Sequence, residues 1–163
     1  MRLQKATFSQ ISIIEQLARA IWPIAYAEIL SSEQLDYMLK MFYSEEALQK
    51  QMEQGQVFYL AFDNTGNAVG FVAYEINCQP QKIKIHKIYV LPETQGFGVG
   101  KLLFEKVKEI ALQNEQNAIF LNVNKYNTAR HFYTKLGFKI VKDEVIEIGR
   151  GYVMDDYVME VEI

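Results

Sequence analysis

The first third of the chain carries its apolar residues at helical spacing. Arg2 to Thr7 has a short strand pattern, and apolar side chains then recur every three or four positions from Ile11 to Ala25. Two further amphipathic segments follow Ser31 and Ser44, which are placed as helix N-caps. Pro23 is expected to kink or end the first helix. We therefore predict one strand followed by helices up to residue 54.

After Gly55 the pattern changes to alternating strands and helices. Val57 to Phe62 and Ala68 to Ile76 are predicted as a hairpin around the turn residues 63–67. The next strand, Ile83 to Val90, loses its alternation of apolar and polar residues between residues 85 and 88. A β-bulge in that strand would explain the slip.

The remaining pattern predicts two helices and three more strands. An apolar stripe from Val99 to Ala111 indicates a helix, Ile119 to Val123 a strand, and residues 129–136 a second, shorter helix. Two closing strands are predicted over 138–148 and 152–163. The strand–helix–strand unit from Ile83 to Val123 requires a right-handed parallel crossover. With no linker, repeat or low-complexity tract, we expect a single α+β domain over residues 1–163.

Composition narrows the function classes. The 163 residues carry 17 basic and 20 acidic side chains, for a net charge of -3, which disfavours a nucleic-acid-binding protein. The N-terminal stretch lacks the apolar run of a secretory peptide, and Ile21 to Ala27 is too short to span a bilayer. Cys78 is the only cysteine, so no internal disulfide or thiolate metal cluster can form. We predict a cytoplasmic protein without a metal, membrane or nucleic-acid partner.

A glycine-rich loop over residues 95–101 joins a predicted strand to a predicted helix. Such a loop turns sharply and aims backbone N–H groups at one point, where the helix dipole favours a pyrophosphate. The Walker pattern fails because Gln95 and Leu102 occupy its glycine and Ser/Thr positions. The Rossmann pattern fails at Leu103, which stands where glycine is needed.

The loop instead resembles the coenzyme A loop of the GNAT N-acetyltransferase superfamily. Its Gln95-x-x-Gly98-x-Gly100 pattern follows a strand that ends at Pro92, and a second block matches downstream over residues 121–138. This second block contains Leu-Asn-Val at 121–123, Asn127, and Phe-Tyr-x-Lys-Leu-Gly-Phe at 132–138. The resemblance implies a mixed, mostly antiparallel sheet of about seven strands flanked by helices, with splayed fourth and fifth strands.

The resemblance also implies acetyl-CoA as cosubstrate. Backbone groups of Tyr89 and Val90 would bond the pantetheine arm in the gap between the splayed strands, and Asn127 would either contact this arm or simply cap its helix. The pyrophosphate would be held by the loop residues Gln95, Gly96, Phe97, Gly98, Val99, Gly100 and Lys101.

Two residues are predicted to carry proton transfer. Tyr133 matches the family tyrosine that protonates the departing thiolate, and core packing is its alternative role. The family often uses an acidic residue on the fourth strand as base, but none lies between residues 76 and 92. His86 is therefore the predicted base, with an ordinary strand histidine as the alternative. Glu75 and Glu28 are reserve candidates.

The acceptor pocket of this superfamily lies between the first helices and the last strands. We predict Trp22, Tyr26 and Glu28 as substrate-binding residues, with Asp155 and Asp156 adding negative charge. The expected acceptor is a primary amine of a small molecule or peptide, including cations such as polyamines. The alternative is a non-catalytic acyl-CoA-binding module of the same fold. The sequence leaves a homodimer open.

Overall fold

The computed structural model describes residues Met1–Ile163, which form seven strands and five α-helices. The helices are α1 (Ile11–Ala25), α2 (Ser32–Tyr43), α3 (Glu45–Glu53), α4 (Val99–Gln113) and α5 (Ala129–Lys135). The strands are β1 (Arg2–Lys5), β2 (Val57–Phe62), β3 (Ala68–Gln79), β4 (Lys82–Val90), β5 (Ala118–Asn124), β6 (Lys139–Gly149) and β7 (Tyr152–Glu162). No helix combines the length and the apolar character that crossing a membrane requires.

All seven strands form one sheet, in the order β1-β2-β3-β4-β5-β7-β6. Every neighbouring pair is antiparallel except β4 and β5, which are parallel. The parallel pairing covers only Lys82–Ile85 against Ala118–Leu121. Beyond it the two strands separate, so the predicted mixed sheet with splayed fourth and fifth strands is confirmed.

The helix boundaries follow the predicted capping residues. The Ser31 hydroxyl accepts a bond from the Gln34 N–H at 3.1 Å, and the Ser44 hydroxyl accepts one from the Ala47 N–H at 3.2 Å. Pro23 lies inside α1, which ends two residues later at Ala25. The predicted helical region therefore consists of three helices, and the breaks between them fall shortly after a proline or at a serine cap.

The sheet has a buried core on each face. On one face, α4 and α5 pack against residues that include Ile83, Ile85 and Leu121. On the other, α1, α2 and α3 pack against residues that include Leu60 and Phe71. β4 lies near the middle of the sheet, so its side chains contribute to both faces.

The predicted bulge is present in β4. Ala73 of β3 pairs with Lys87 and Tyr74 pairs with Ile85, which leaves His86 as the extra residue. Ile85 and Ile88 both pack on the α4 face, although they are three residues apart. Lys87 turns to the other face, where it lies over the Phe58 ring. The bulge thus places a lysine where the uninterrupted pattern would place an apolar residue.

Candidate active site

A cavity of about 1000 Å³ opens where β4 and β5 separate, and it also contacts α1, α2, β7 and the starts of α4 and α5. Four of the predicted residues do not line it, namely Phe97, Glu28, Asp155 and the reserve base Glu75. Phe97 and Glu28 are exposed, Phe97 by 78%. The predicted residues that line the cavity are Trp22, Tyr26, His86, Tyr89, Val90, Gln95, Gly96, Gly98, Val99, Gly100, Lys101, Asn127 and Tyr133.

One end of the cavity is built from backbone groups. Gly98 caps α4 with a left-handed φ of 82°, which favours glycine. The N–H groups of the next three residues, 99–101, make no backbone hydrogen bond, whereas that of Leu102 bonds the Gly98 carbonyl. A helix start with free N–H groups attracts anions. This geometry suits a pyrophosphate.

The start of α4 also lies against α5. A Cβ on Gly100 would come within 3.1 Å of the Phe132 ring, so a larger residue would require this ring to shift by a few tenths of an ångström. Because Gly100 and Phe132 are in contact, the free N–H groups of α4 and the side chains of α5 line the same cavity.

The separated strand edges supply a second set of backbone partners. On its β5 side, β4 has no strand partner beyond Ile85, and β5 has none on its β4 side beyond Leu121. Tyr89 and Val90 line the cavity in this unpaired stretch. Such an edge can bond the amides of an extended ligand, so the splay fits a pantetheine arm.

Tyr133 belongs both to the core and to the cavity wall. Its ring packs edge-on against Phe132 and Phe138, with centroids 5.5 and 5.9 Å away. The side chain is only 8% exposed, and its hydroxyl forms no hydrogen bond within the protein. Burial raises the pKa of Tyr133 above its ordinary value, so the hydroxyl stays protonated at neutral pH. It can therefore donate a proton into the cavity.

Asn127 directly precedes Thr128, the N-cap of α5, and also lies on the cavity. Its side-chain oxygen accepts a bond from the Ala129 N–H at 2.9 Å, and its Nδ2 lies 3.5 Å from the Tyr26 hydroxyl. The Tyr26 and Tyr89 hydroxyls bond each other at 2.9 Å. The Trp22 ring lies tilted beside both, with ring centroids 4.6 and 5.8 Å away, which gives the cavity an aromatic wall.

His86 is held by a carboxylate. Its Nε2 lies 3.0 Å from Glu75 Oε1, and an N–H donated there leaves Nδ1 as the basic atom. Burial, together with the charges of Lys84 and Lys87, lowers the pKa of His86 to about 4, against the raising effect of Glu75. The imidazole is thus neutral at physiological pH and a weaker base than an ordinary histidine.

Glu75, Cys78 and His86 bring three donor atoms within 4.8 Å of one another, the group in the chain that comes nearest to a metal site. The His86–Glu75 hydrogen bond accounts for part of this convergence. Burial and Glu75 raise the pKa of the Cys78 thiol, and the Lys84 ammonium lies close enough to oppose that rise and to contribute to the lowered pKa of His86. Since that ammonium would also repel a cation, we interpret the group as a hydrogen-bonded pair beside a thiol.

Two buried charged side chains, Asp156 and Lys87, also line the cavity. Asp156 is 6% exposed, accepts a 3.3 Å bond from Asn122, and has its pKa raised by burial. Lys87 is 8% exposed and donates to Gln51 and Gln56 at 2.7 and 3.1 Å. Asp156 lines the cavity, but Asp155, which we expected beside it, does not. The broken alternation at residues 85–88 was the sequence signal for Lys87.

Comparisons with known proteins agree with this geometry. Residues 26–159 match the family model for the acetyltransferase (GNAT) domain. A spermidine N(1)-acetyltransferase of Thermoplasma acidophilum is 24% identical over 160 residues, 95% of this chain and 96% of the relative. A peptidyl-lysine N-acetyltransferase of Salmonella typhimurium is 36% identical over 67 residues, 40% of this chain and 43% of that protein.

Solved structures share the fold. The PaiA N-acetyltransferase of Thermoplasma acidophilum, in complex with coenzyme A, superposes with a TM-score of 0.82 at 24% identity. The match covers 99% of this chain and 98% of that one. The ribosomal-protein-S18-alanine N-acetyltransferase of Escherichia coli gives a TM-score of 0.74 at 15% identity, covering 99% and 93% of the two chains.

Proposed function

The chain belongs to the acetyltransferase (GNAT) family and is an acetyltransferase; from this premise we propose that residues 1–163 form one domain that transfers an acetyl group from acetyl-CoA to a primary amine. The observation that carries the proposal is the cavity at the β4–β5 splay. It joins the free N–H groups of α4 to the Tyr133 hydroxyl and to the buried carboxylate of Asp156.

The cofactor end of the cavity, defined as the loop 95–101 with the start of α4 and the open edge of β4, would hold coenzyme A. The free N–H groups at 99–101 would bind the pyrophosphate, with Lys101 adding charge. Tyr89 and Val90 would bond the pantetheine amides. Acetyl-CoA supplies an activated acetyl thioester, which the acceptor amine attacks directly while both are bound.

The acceptor end, defined by Trp22, Tyr26, Lys87 and Asp156, would hold the amine. The buried carboxylate of Asp156 suits a cationic ammonium group, and it lies near enough to Tyr26 to affect that hydroxyl. Two relatives are named for spermidine and for peptidyl-lysine, and both names denote amine acceptors. A primary amine on a small molecule or a peptide is therefore the proposed acceptor.

Proton transfer would use residues on opposite sides of the reacting atoms. His86, through Nδ1, would accept the proton that the amine must lose. Tyr133 would protonate the departing thiolate, since its hydroxyl is protonated and unpaired. Holding both reactants in one cavity supplies much of the acceleration through proximity.

An acceptor screen tests the proposal. Purified protein, acetyl-CoA and a panel of diamines, polyamines, amino acids and lysine peptides are combined, and thiol release is followed together with the mass of the product. We expect amine-dependent thiol release and an N-acetylated product. Tight acetyl-CoA binding without turnover on any amine would contradict the proposal and favour a non-catalytic acyl-CoA-binding module.

A further inference from the structure

The acceptor end contains a buried cation that has no counter-ion. Lys87 is the one basic side chain of the protein that is buried, and it forms no ion pair. Its ammonium donates to two neutral amide oxygens, those of Gln51 and Gln56. An ammonium has three N–H donors, so one remains available. Buried charges are normally paired, because removing them from water is costly.

Two further donors beside Lys87 lack a partner. The Trp22 Nε1–H and the Tyr43 hydroxyl are buried and have no hydrogen-bond partner elsewhere in the protein. The two lie side by side: burial raises the pKa of the Tyr43 hydroxyl, and Trp22 lowers it by a smaller amount. Their residues are 5% and 1% exposed, respectively. A buried polar group without a partner costs free energy, and such groups in a cavity wall point to a ligand that satisfies them.

The three donors belong to one part of the cavity. The ring centroids of Trp22 and Tyr43 are 5.4 Å apart, and the Lys87 Nζ lies 5.8 Å from the Tyr43 ring centroid. All three residues line the same cavity as Tyr133 and Asp156. The glycine loop lies beyond the end of β4, whereas Lys87 is tied to α3 and its following loop through Gln51 and Gln56. This donor group is therefore separate from the proposed pyrophosphate site.

We propose that this donor group binds a carboxylate carried by the acceptor, so that the substrate is an amino-carboxylate rather than a plain amine. The inference rests on the proposed function. A carboxylate supplies two acceptor oxygens and the missing negative charge, which suits the remaining N–H of the Lys87 ammonium and the neighbouring Trp22 and Tyr43 side chains. Asp156 then faces the amine of the same molecule. The two buried charges of the cavity, one of each sign, select a molecule that carries both.

The Trp22 side chain allows a binding test that needs no turnover. It is the only tryptophan in the chain, so intrinsic fluorescence reports on this donor group. Protein saturated with coenzyme A is titrated with linear ω-amino acids, from β-alanine to 6-aminohexanoate, and with the carboxamide of each. We expect at least one acid to bind about tenfold more tightly than its amide, a difference near 1.4 kcal/mol.

Two variants identify the donors. Lys87→Met keeps the length of the side chain and removes the charge, and Tyr43→Phe removes only the hydroxyl. Each should weaken binding of the acid and leave binding of the amide unchanged, so that the preference falls to about twofold or less in Lys87→Met. Tyr74→Phe, a buried tyrosine outside the cavity, is the matched control and should keep the preference.

The outcomes separate the inference from the proposed function. Selective binding of the acid by the wild type, lost in the variants, supports the carboxylate site whether or not the bound compound is acetylated. Equal binding of acids and amides, or a preference that survives both variants, overturns it. If amines are acetylated while the acids show no advantage, the proposed function stands and the carboxylate site is wrong.

Discussion

The two ends of the cavity are built in different ways. The cofactor end consists of backbone groups from one continuous stretch, β4 through the start of α4, with Gly98 setting the turn. The acceptor end consists of side chains from α1, α2, β4 and β7, including Trp22, Lys87 and Asp156. Backbone recognition tolerates many side chains but depends on the path of the chain. Side-chain recognition depends on individual residues, so the two ends should respond differently to mutation.

The largest effect is expected at Tyr133, which stands between the two ends. Tyr133→Phe keeps the ring contacts with Phe132 and Phe138 but removes the donor. We expect kcat to fall about 10²-fold, with acetyl-CoA affinity unchanged, because only the general acid is lost. Initial rates and calorimetry measure the two quantities. Tyr126→Phe, at an exposed position, is the control, and a rate within about twofold of wild type would return Tyr133 to a packing role.

A larger side chain in the glycine loop should disrupt the cofactor end. Gly98→Val places a β-branched residue at a left-handed φ, which redirects the N–H groups of α4. The Kd for acetyl-CoA should rise at least about tenfold, while direct binding of the acceptor changes little. Gly55→Val is a matched control, because Gly55 also has positive φ but lies outside the cavity. Unchanged acetyl-CoA affinity in a folded Gly98→Val protein would remove the loop from the site.

Removing the charge of Asp156 should weaken acceptor binding at the acceptor end. Asp156→Asn keeps the shape of the residue but removes the negative charge that we expect to face the acceptor amine. The acceptor KM should rise about tenfold, in line with a charge-assisted hydrogen bond, and the KM for acetyl-CoA should stay the same. Asp36→Asn, exposed on α2, is the control. If only the KM for acetyl-CoA changed, Asp156 would belong to the cofactor end, and its proposed contact with the acceptor amine would be wrong.

The pH dependence of kcat/KM tests whether His86 acts as the base. With its pKa lowered to about 4, the imidazole does not gain a proton between about pH 5 and 7. The wild-type kcat/KM for the acceptor should therefore show no inflection near 6.5, the ordinary histidine value, and His86→Gln should lower kcat/KM about tenfold across this range. An inflection near 6.5 that disappears in the variant would show that the imidazole is ordinary.

The last prediction concerns stability, measured as the free energy of unfolding, and not activity. Burial lowers the pKa of Lys87 from 10.5 to about 7 in the folded state. Between these values the unfolded chain binds more protons, so this lysine makes the free energy of unfolding rise with pH, by at most about 1.4 kcal/mol per pH unit. Below pH 7 the lysine is protonated in both the folded and the unfolded state, so its contribution to the free energy of unfolding no longer changes with pH. Denaturant melts of wild type and Lys87→Met from pH 7 to 10 should show a rise that the variant lacks, and equal slopes would contradict the burial of a charge.

The same contrast explains what could be predicted from the sequence. The fold and the splay were predictable, since two contiguous blocks carry them, and the glycine spacing also indicated a loop whose residues mostly line the cavity. The exposure of the Phe97 side chain was not predictable, because a loop pattern does not reveal which side chain points outward. The acceptor end depends on contacts such as Lys87 with Gln51, 36 residues away, and such contacts leave no local pattern. Glu28 was assigned there by analogy and is exposed.

We expect the acetyl group to pass directly from acetyl-CoA at the cofactor end of the cavity to the amine at the acceptor end. This expectation is tested by initial rates with acetyl-CoA and an accepted amine both varied, combined with the intact mass of the protein after incubation with acetyl-CoA alone. Direct transfer predicts intersecting reciprocal plots and a protein whose mass does not change. Parallel plots, together with a protein that carries an acetyl group and passes it to the amine, would contradict the account.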